Sequence, residues 1–213
     1  MSHLILLPRR AFGLVCCFFL AFVPSGATAA GINVTVADAN GAAIDDAVVY
    51  ALPLTSTAGA KPARGSNVEQ FNKEFIPHVT PVQTGTLVSF PNRDDIRHHV
   101  YSFSPAKAFE LKLYAGTAAP PVLFDKPGQV VLGCNIHDHM LAYIYVVDTP
   151  HFAKSVAGST RIDNLPAGDF EVRIWHPRSR SAVSPQRVKV GGDSTTALKF
   201  ALDLQPQGKP PRQ

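Results

Sequence analysis

Turn-forming residues interrupt this chain so often that long helices have no room. The 15 glycines and 18 prolines are spread along 213 residues. A proline inside a helix removes a hydrogen bond and clashes with the preceding turn, so no window of helical period survives for long. Between the breakers lie short β-branched or alternating runs that read as strands. They fall at 32–37, 47–52, 86–90, 100–103, 109–114, 129–132, 141–147, 170–175, 187–190 and 197–202. The expected fold class is all-β, a sandwich or sandwiches of antiparallel strands. Asp38-Ala39-Asn40-Gly41 reads as a hairpin turn joining the first two strands. Two stretches read as loose: 56–67, rich in Ala, Gly, Pro, Lys and Arg, as a linker, and 205–213, rich in Pro and Gln, as a disordered tail.

Residues 1–30 read as a secretory signal peptide. Arg9 and Arg10 supply positive charge, 11–23 is an apolar run of 13 residues, and Ala27-Thr28-Ala29-Ala30 offers a small-residue cleavage site. The run is too short to span a bilayer, and no later stretch is long and apolar enough to do so. The expected product is a periplasmic protein without stable membrane insertion. Cleavage leaves about 183 residues, enough for one domain or two small ones, and lowers the formal charge from +4 to +2. That excess is too small and too dispersed to argue for nucleic acid. No nucleophile elbow, paired-carboxylate constellation or phosphate loop stands out, so an enzyme is not expected.

Cleavage also removes Cys16 and Cys17, leaving Cys134 as the lone cysteine and Met140 as the lone methionine. A single thiol in an oxidising compartment forms no internal disulfide and is either an inert buried residue or a ligand. Its neighbours favour the second reading. Gly133-Cys134-Asn135-Ile136-His137-Asp138-His139-Met140 places a thiolate, an imidazole and a thioether at C-x2-H-x2-M spacing. This soft nitrogen-and-sulfur set selects copper, with two histidines and the cysteine in a plane and the methionine as a weak axial ligand. The second histidine must come from elsewhere, and His98-His99 supplies candidates 36 residues upstream of Cys134. His78, His151 and His176 read as surface or strand-end histidines, and Arg93-Asp94-Asp95 as a solvated turn.

The region 68–148 resembles the cupredoxins, the small blue copper proteins. Phe75-Ile76-Pro77 is similar to an early F-x-P of plastocyanin-like chains, and Gly85-Thr86-Leu87-Val88-Ser89-Phe90-Pro91-Asn92 to their glycine turn and hydrophobic strand ending in Asn. Asn92-Arg93-Asp94-Asp95-Ile96-Arg97-His98-His99-Val100 resembles the family's N-x-[DE]-x3-H-N-[VI] stretch, and five residues separate Gly128 from Cys134 as in its P-G-x5-C approach. The compact H-x2-M spacing is similar to amicyanin, and the longer stretches resemble bacterial proteins labelled as methylamine utilisation proteins. The resemblance implies a Greek-key β-sandwich holding one Cu(II)/Cu(I) ion on His98, Cys134, His137 and Met140. Asn92 would orient the ligands from the second shell, and His99 or His139 could ligate instead of His98 or Met140. The family's Asn after the first histidine is His99 here, and Ile136 stands where a proline is common before the second.

The flanks resemble a different family. Residues 33–41 with Asp46-Ala47-Val48-Val49-Tyr50 look like the opening of a carboxypeptidase-regulatory-like, transthyretin-type β-sandwich module. Its usual continuation comes only after residue 150, at Leu165-Pro166-Ala167-Gly168-Asp169-Phe170. The expected organisation is therefore a transthyretin-like sandwich from 31–55 and 149–204, with the copper domain at 68–148 inserted. The resemblances imply an electron carrier for a redox partner, a dehydrogenase or cytochrome, in amine oxidation or respiration. Copper handling, as a chaperone or sensor, and a metal-free binding module are the alternatives.

Overall fold

The computed structural model describes residues 30–55, 65–117, 119–191 and 195–206. The expected signal segment up to residue 29, most of the expected linker and the tail from 207 lie outside the described residues. The fold is all-β. In chain order the strands are β1 (Gly31–Asp38), β2 (Val48–Pro53), β3 (Ser66–Asn67), β4 (Glu69–Phe71), β5 (Glu74–Ile76), β6 (Val79–Gln83), β7 (Thr86–Ser89), β8 (His98–Ser104), β9 (Lys107–Tyr114), β10 (Val122–Phe124), β11 (Gly128–Gly133), β12 (Leu141–Val147), β13 (Phe152–Lys154), β14 (Ser159–Ile162), β15 (Gly168–Trp175), β16 (Gln186–Val190) and β17 (Thr195–Leu202).

β1 and β2 find their partners among the strands after residue 150. β1 lies between β14 and β17, and β2 between β13 and β15, with β16 completing the second sheet. The alternation along β1 turns Ile32, Val34 and Val36 inward, and that along β15 turns in Phe170, Val172 and Ile174. These residues meet in one buried cluster with Val49, Ala51, Val190, Phe200 and Leu202. Between β2 and β13, the chain builds a second unit. It has a five-stranded sheet, β6-β12-β11-β8-β9, a three-stranded sheet, β10-β7-β3, and the β4–β5 hairpin. Its own core includes Val88, Phe90, Val100, Phe124, Val130, Leu132, Ala142 and Ile144.

β12 joins the two units. Ala142, Ile144 and Val146 face the inner core, while Tyr143 and Tyr145 on the opposite face pack with Val48, Val79, Phe152 and Trp175. Tyr145 stacks on Trp175 with ring centroids 4.4 Å apart, and its hydroxyl lies 3.3 Å from that of Tyr50. Lys154 Nζ crosses the junction, donating to the Val79 carbonyl and pairing with Asp46.

Several local expectations are corrected. The turn at 38–41 forms, with Asp38 Oδ1 accepting from the backbone N–H of Asn40 and Ala42. It does not make a β1–β2 hairpin: only an isolated Ala37–Ala43 bridge follows, and the chain crosses to the other sheet. The linker expected to run to Asn67 stops short, because Ser66 and Asn67 pair in parallel with Val88 and Ser89. β6 was not expected because it contains Pro81. The proline is accommodated because β6 is an edge strand, paired on one side only, with β12.

His176 is buried at the end of β15 rather than at the surface, and its Nδ1 accepts from the Arg178 backbone N–H. Burial, followed by the charge of Arg178, holds its pKa below the ordinary 6.5, and burial does the same for His151. The unfolded chain therefore binds protons at a pH where the folded chain does not. This contribution to stability is complete above the ordinary histidine value and is lost as pH falls through the depressed one. Urea midpoints of the metal-free protein are expected to fall between about pH 7.5 and about pH 5, and His176→Gln is expected to flatten that fall.

Candidate metal centre

β11 and β12 are antiparallel neighbours with Gly133 opposite Leu141, so the segment 134–140 closes a loop at one end of the inner sandwich. The backbone N–H of Met140 donates to the His137 carbonyl at 3.0 Å, which tightens the loop. Cys134 and Met140 are buried in the inner core, whereas Asn135, Ile136, Asp138 and His139 face solvent. Gly133 is needed because the Tyr101 ring lies directly over it. A Cβ there would come within 2.8 Å of Tyr101 Cζ.

His98 enters from the next strand. It opens β8 opposite Tyr114, and the β8–β9 register shifts between His98 and Val100. Such a bulge re-aims side chains. His98 is completely buried, and its Nδ1 lies 3.8 Å from Cys134 Sγ. His137 completes the group: one ligand atom from each of His98, Cys134 and His137 lies within 4.8 Å of the others, and the two imidazole rings are 5.0 Å apart. Met140 and Cys134 line one side of a cleft of about 360 Å³ whose other walls include Tyr101, Phe103 and Leu141.

The other candidates are placed elsewhere. Strand alternation turns His99 away from His98. Its Nε2 lies 2.9 Å from Glu110 Oε1, and its ring packs near Tyr101. His139 is exposed, with its ring 5.8 Å from that of His137. Asn92 is buried beneath the site. Its Nδ2 donates to the carbonyls of Ile96 and Tyr114, and its Oδ1 accepts from the Asp94 N–H. It therefore fixes the loop leading to His98 without touching the ligand atoms.

Asp94 was read from the sequence as part of a solvated turn, and that reading is corrected. Its Oδ2 lies 2.7 Å from His98 Nε2, and its carboxylate accepts from the backbone N–H of Asn72 and Lys73. Burial pulls the Asp94 pKa upward, but the bonds from Lys73, His98 and Asn72 outweigh it and hold the carboxyl below its ordinary value. The signal was the [DE] position of the N-x-[DE]-x3-H stretch, which Asp94 and not Asp95 occupies, four residues before His98.

The residues present fit a copper ion. His137 Nδ1 is buried with no hydrogen-bond partner among the described residues. A buried ring nitrogen without a partner is costly in water-free surroundings, and a metal would satisfy it. Burial first, then the electrostatic influence of His98 and Lys73, lower the His137 pKa, which favours the neutral, ligating form of the imidazole. One sulfur and two nitrogens, with a thioether buried in the same loop, is the donor set of a mononuclear copper site. Cys134, His98 and His137 would hold the ion, with Met140 on the remaining side.

Comparison with solved structures finds partial similarities. The chain is similar to a copper-containing nitrite reductase from Thermus scotoductus, with 25% identity over 45% of this chain and a TM-score of 0.38. The chain spans only 25% of that protein's length. It is also similar to a purple cupredoxin from Nitrosopumilus maritimus, with 16% identity over 38% of this chain and 99% of that one, TM-score 0.35. Amicyanin from Paracoccus versutus is 18% identical over 46% of this chain and 98% of its own, TM-score 0.36. No protein-family model and no curated protein matches the chain.

Removing the Asn92 amide would strand the buried Tyr114 carbonyl and the part-buried Ile96 carbonyl and Asp94 N–H. Asn92→Ala is expected to cost about 2 kcal/mol or more, read from urea unfolding of the metal-free protein.

Proposed function

We propose that the protein is a periplasmic mononuclear type 1 copper protein that carries single electrons. The observation that supports this best is the convergence of Cys134, His98 and His137 on one buried point, with His137 Nδ1 unpartnered there. When bound, copper supplies a one-electron Cu(II)/Cu(I) couple. The protein supplies a rigid frame. Cys134 and His137 lie in the tight loop between two paired strands, and His98 begins a third, so the donors move little whichever oxidation state they hold. Met140, buried in the same loop, would cap the ion as a further ligand, which favours a carrier over an enzyme with an open position for substrate.

The partner in this reading is a redox protein, a dehydrogenase or a cytochrome, in amine oxidation or respiration. It would approach the exposed loop, where Ile136 and His139 surround the half-buried edge of His137. A copper-handling role is the second reading. It is favoured by His139, which stands in solvent beside His137 where it could pass a metal inward.

Titration of the protein with Cu(II), followed by visible absorption and EPR, tests both readings. The electron-carrier reading expects one equivalent bound, an intense red-region thiolate-to-copper band, and loss of that band in Cys134→Ala. A weak or blue-shifted band that recovers in His139→Ala would favour copper handling. Binding that is absent, or unaffected by Cys134→Ala, would sink both.

A further inference from the structure

The β4–β5 hairpin lies outside both sheets of the inner sandwich, yet its turn reaches the metal site. Asn72 and Lys73 join β4 to β5 in a two-residue turn, with φ of 53° and 58°. Asn adopts this left-handed conformation readily, but Lys does not, so the turn is held in a strained backbone. The conformation aims two successive backbone N–H groups at one point, which makes a cradle for an anion. The Asp94 carboxylate occupies that point: Asn72 N–H donates to Oδ1 at 2.7 Å and Lys73 N–H to Oδ2 at 2.9 Å. Asp94 Oδ2 also meets His98 Nε2 at 2.7 Å, and the Asp94 backbone N–H is tied to Asn92 Oδ1.

We infer that the Asn72–Lys73 turn is a positioning device that acts on the copper ligand through Asp94. Because the turn saturates the carboxylate with donors, Asp94 stays ionised and in place. It then accepts from His98 Nε2–H, which leaves the lone pair on Nδ1, the nitrogen facing Cys134 Sγ at 3.8 Å. A carboxylate on the far nitrogen of a ligating imidazole fixes its tautomer and strengthens it as a donor, more for Cu(II) than for Cu(I). Asp94 is thus a positioning residue that touches no metal. The inference rests on the copper reading for its effect on potential, but its effect on the tautomer does not need the metal.

Two measurements separate the two. In the metal-free protein, long-range proton–nitrogen NMR of labelled histidine is expected to find His98 as the Nε2–H tautomer. It is expected to find mixed tautomers in Asp94→Ala, with faster amide exchange at Asn72 and Lys73. In the copper-loaded protein, the near-isosteric Asp94→Asn is expected to weaken Cu(II) binding roughly 10- to 100-fold. Cu(I) binding should weaken less, and each tenfold difference between the two raises the reduction potential by about 59 mV. Glu110→Gln, which removes the carboxylate beside His99 instead, is the control. An unchanged His98 tautomer in Asp94→Ala, or an Asp94→Asn potential no different from the control's, would overturn the inference while leaving the copper site standing. If the wild type takes up no copper, the copper reading fails and the tautomer result alone decides.

Discussion

β12 packs on both faces, one buried and the other half-buried, and most of the architecture follows from that. One face closes the core under the ligand loop; the other presents Tyr143 and Tyr145 to Trp175 and Val48 of the flanking sandwich. A strand with neighbours on both faces lies between two packed layers, the inner core on one side and residues of β2, β13 and β15 on the other. This also places the ligand loop, attached to the first residue of β12, at the end of a strand that cannot shift without disturbing two cores at once. A site that needs donors held still gains from being mounted there.

The ligand cluster is the reverse of this economy. Burying a thiol, two imidazoles and a carboxylate within a few ångströms costs desolvation that apolar side chains would avoid. The surroundings offset part of it: Asp94 is met by three donors, and Asn92 uses its whole side chain on the loop above it. Tyr114 completes this belt. Its hydroxyl bonds to the Phe90 carbonyl and to Gln70 Nε2, and burial pushes its pKa up to about 12. Among the described residues of this group, Gln70 Oε1 and His137 Nδ1 are buried without a hydrogen-bond partner, and of the two only the imidazole nitrogen is a metal donor.

Strong local signals were legible in the sequence, and long-range ones were not. The alternating runs of β1, β12 and β15 carry their burial pattern on their face, and the Cys134–Met140 spacing pointed to a loop between paired strands. The β4–β5 hairpin escaped notice because its turn is Asn-Lys, without the glycine that usually marks one. The turn is held by a carboxylate 21 and 22 residues away, which no local pattern encodes. Asp94 holds the [DE] position of the stretch before His98, but its tie to the Asn72–Lys73 turn shows only once the hairpin closes on it. The Asp38–Gly41 turn misled in the opposite sense: its chemistry is right for a tight turn, but the hydrophobic faces of β1 and β2 each needed a different sheet.

The nested order of the chain also has a consequence for its birth. β2 pairs with β13 and β15, so about 100 residues must leave the ribosome after Pro53 before the first partner appears. At ordinary rates of synthesis that interval is about 5–20 s. Throughout it two β-rich segments carry unpaired edges and an uncovered apolar face, the features that invite pairing with another chain. The inner unit completes its five-stranded sheet only when β12 (Leu141–Val147) has emerged, just before β13 follows. Thr149 then bonds back to the Ala51 carbonyl, bringing the emerging strands to the place where the early ones were left open.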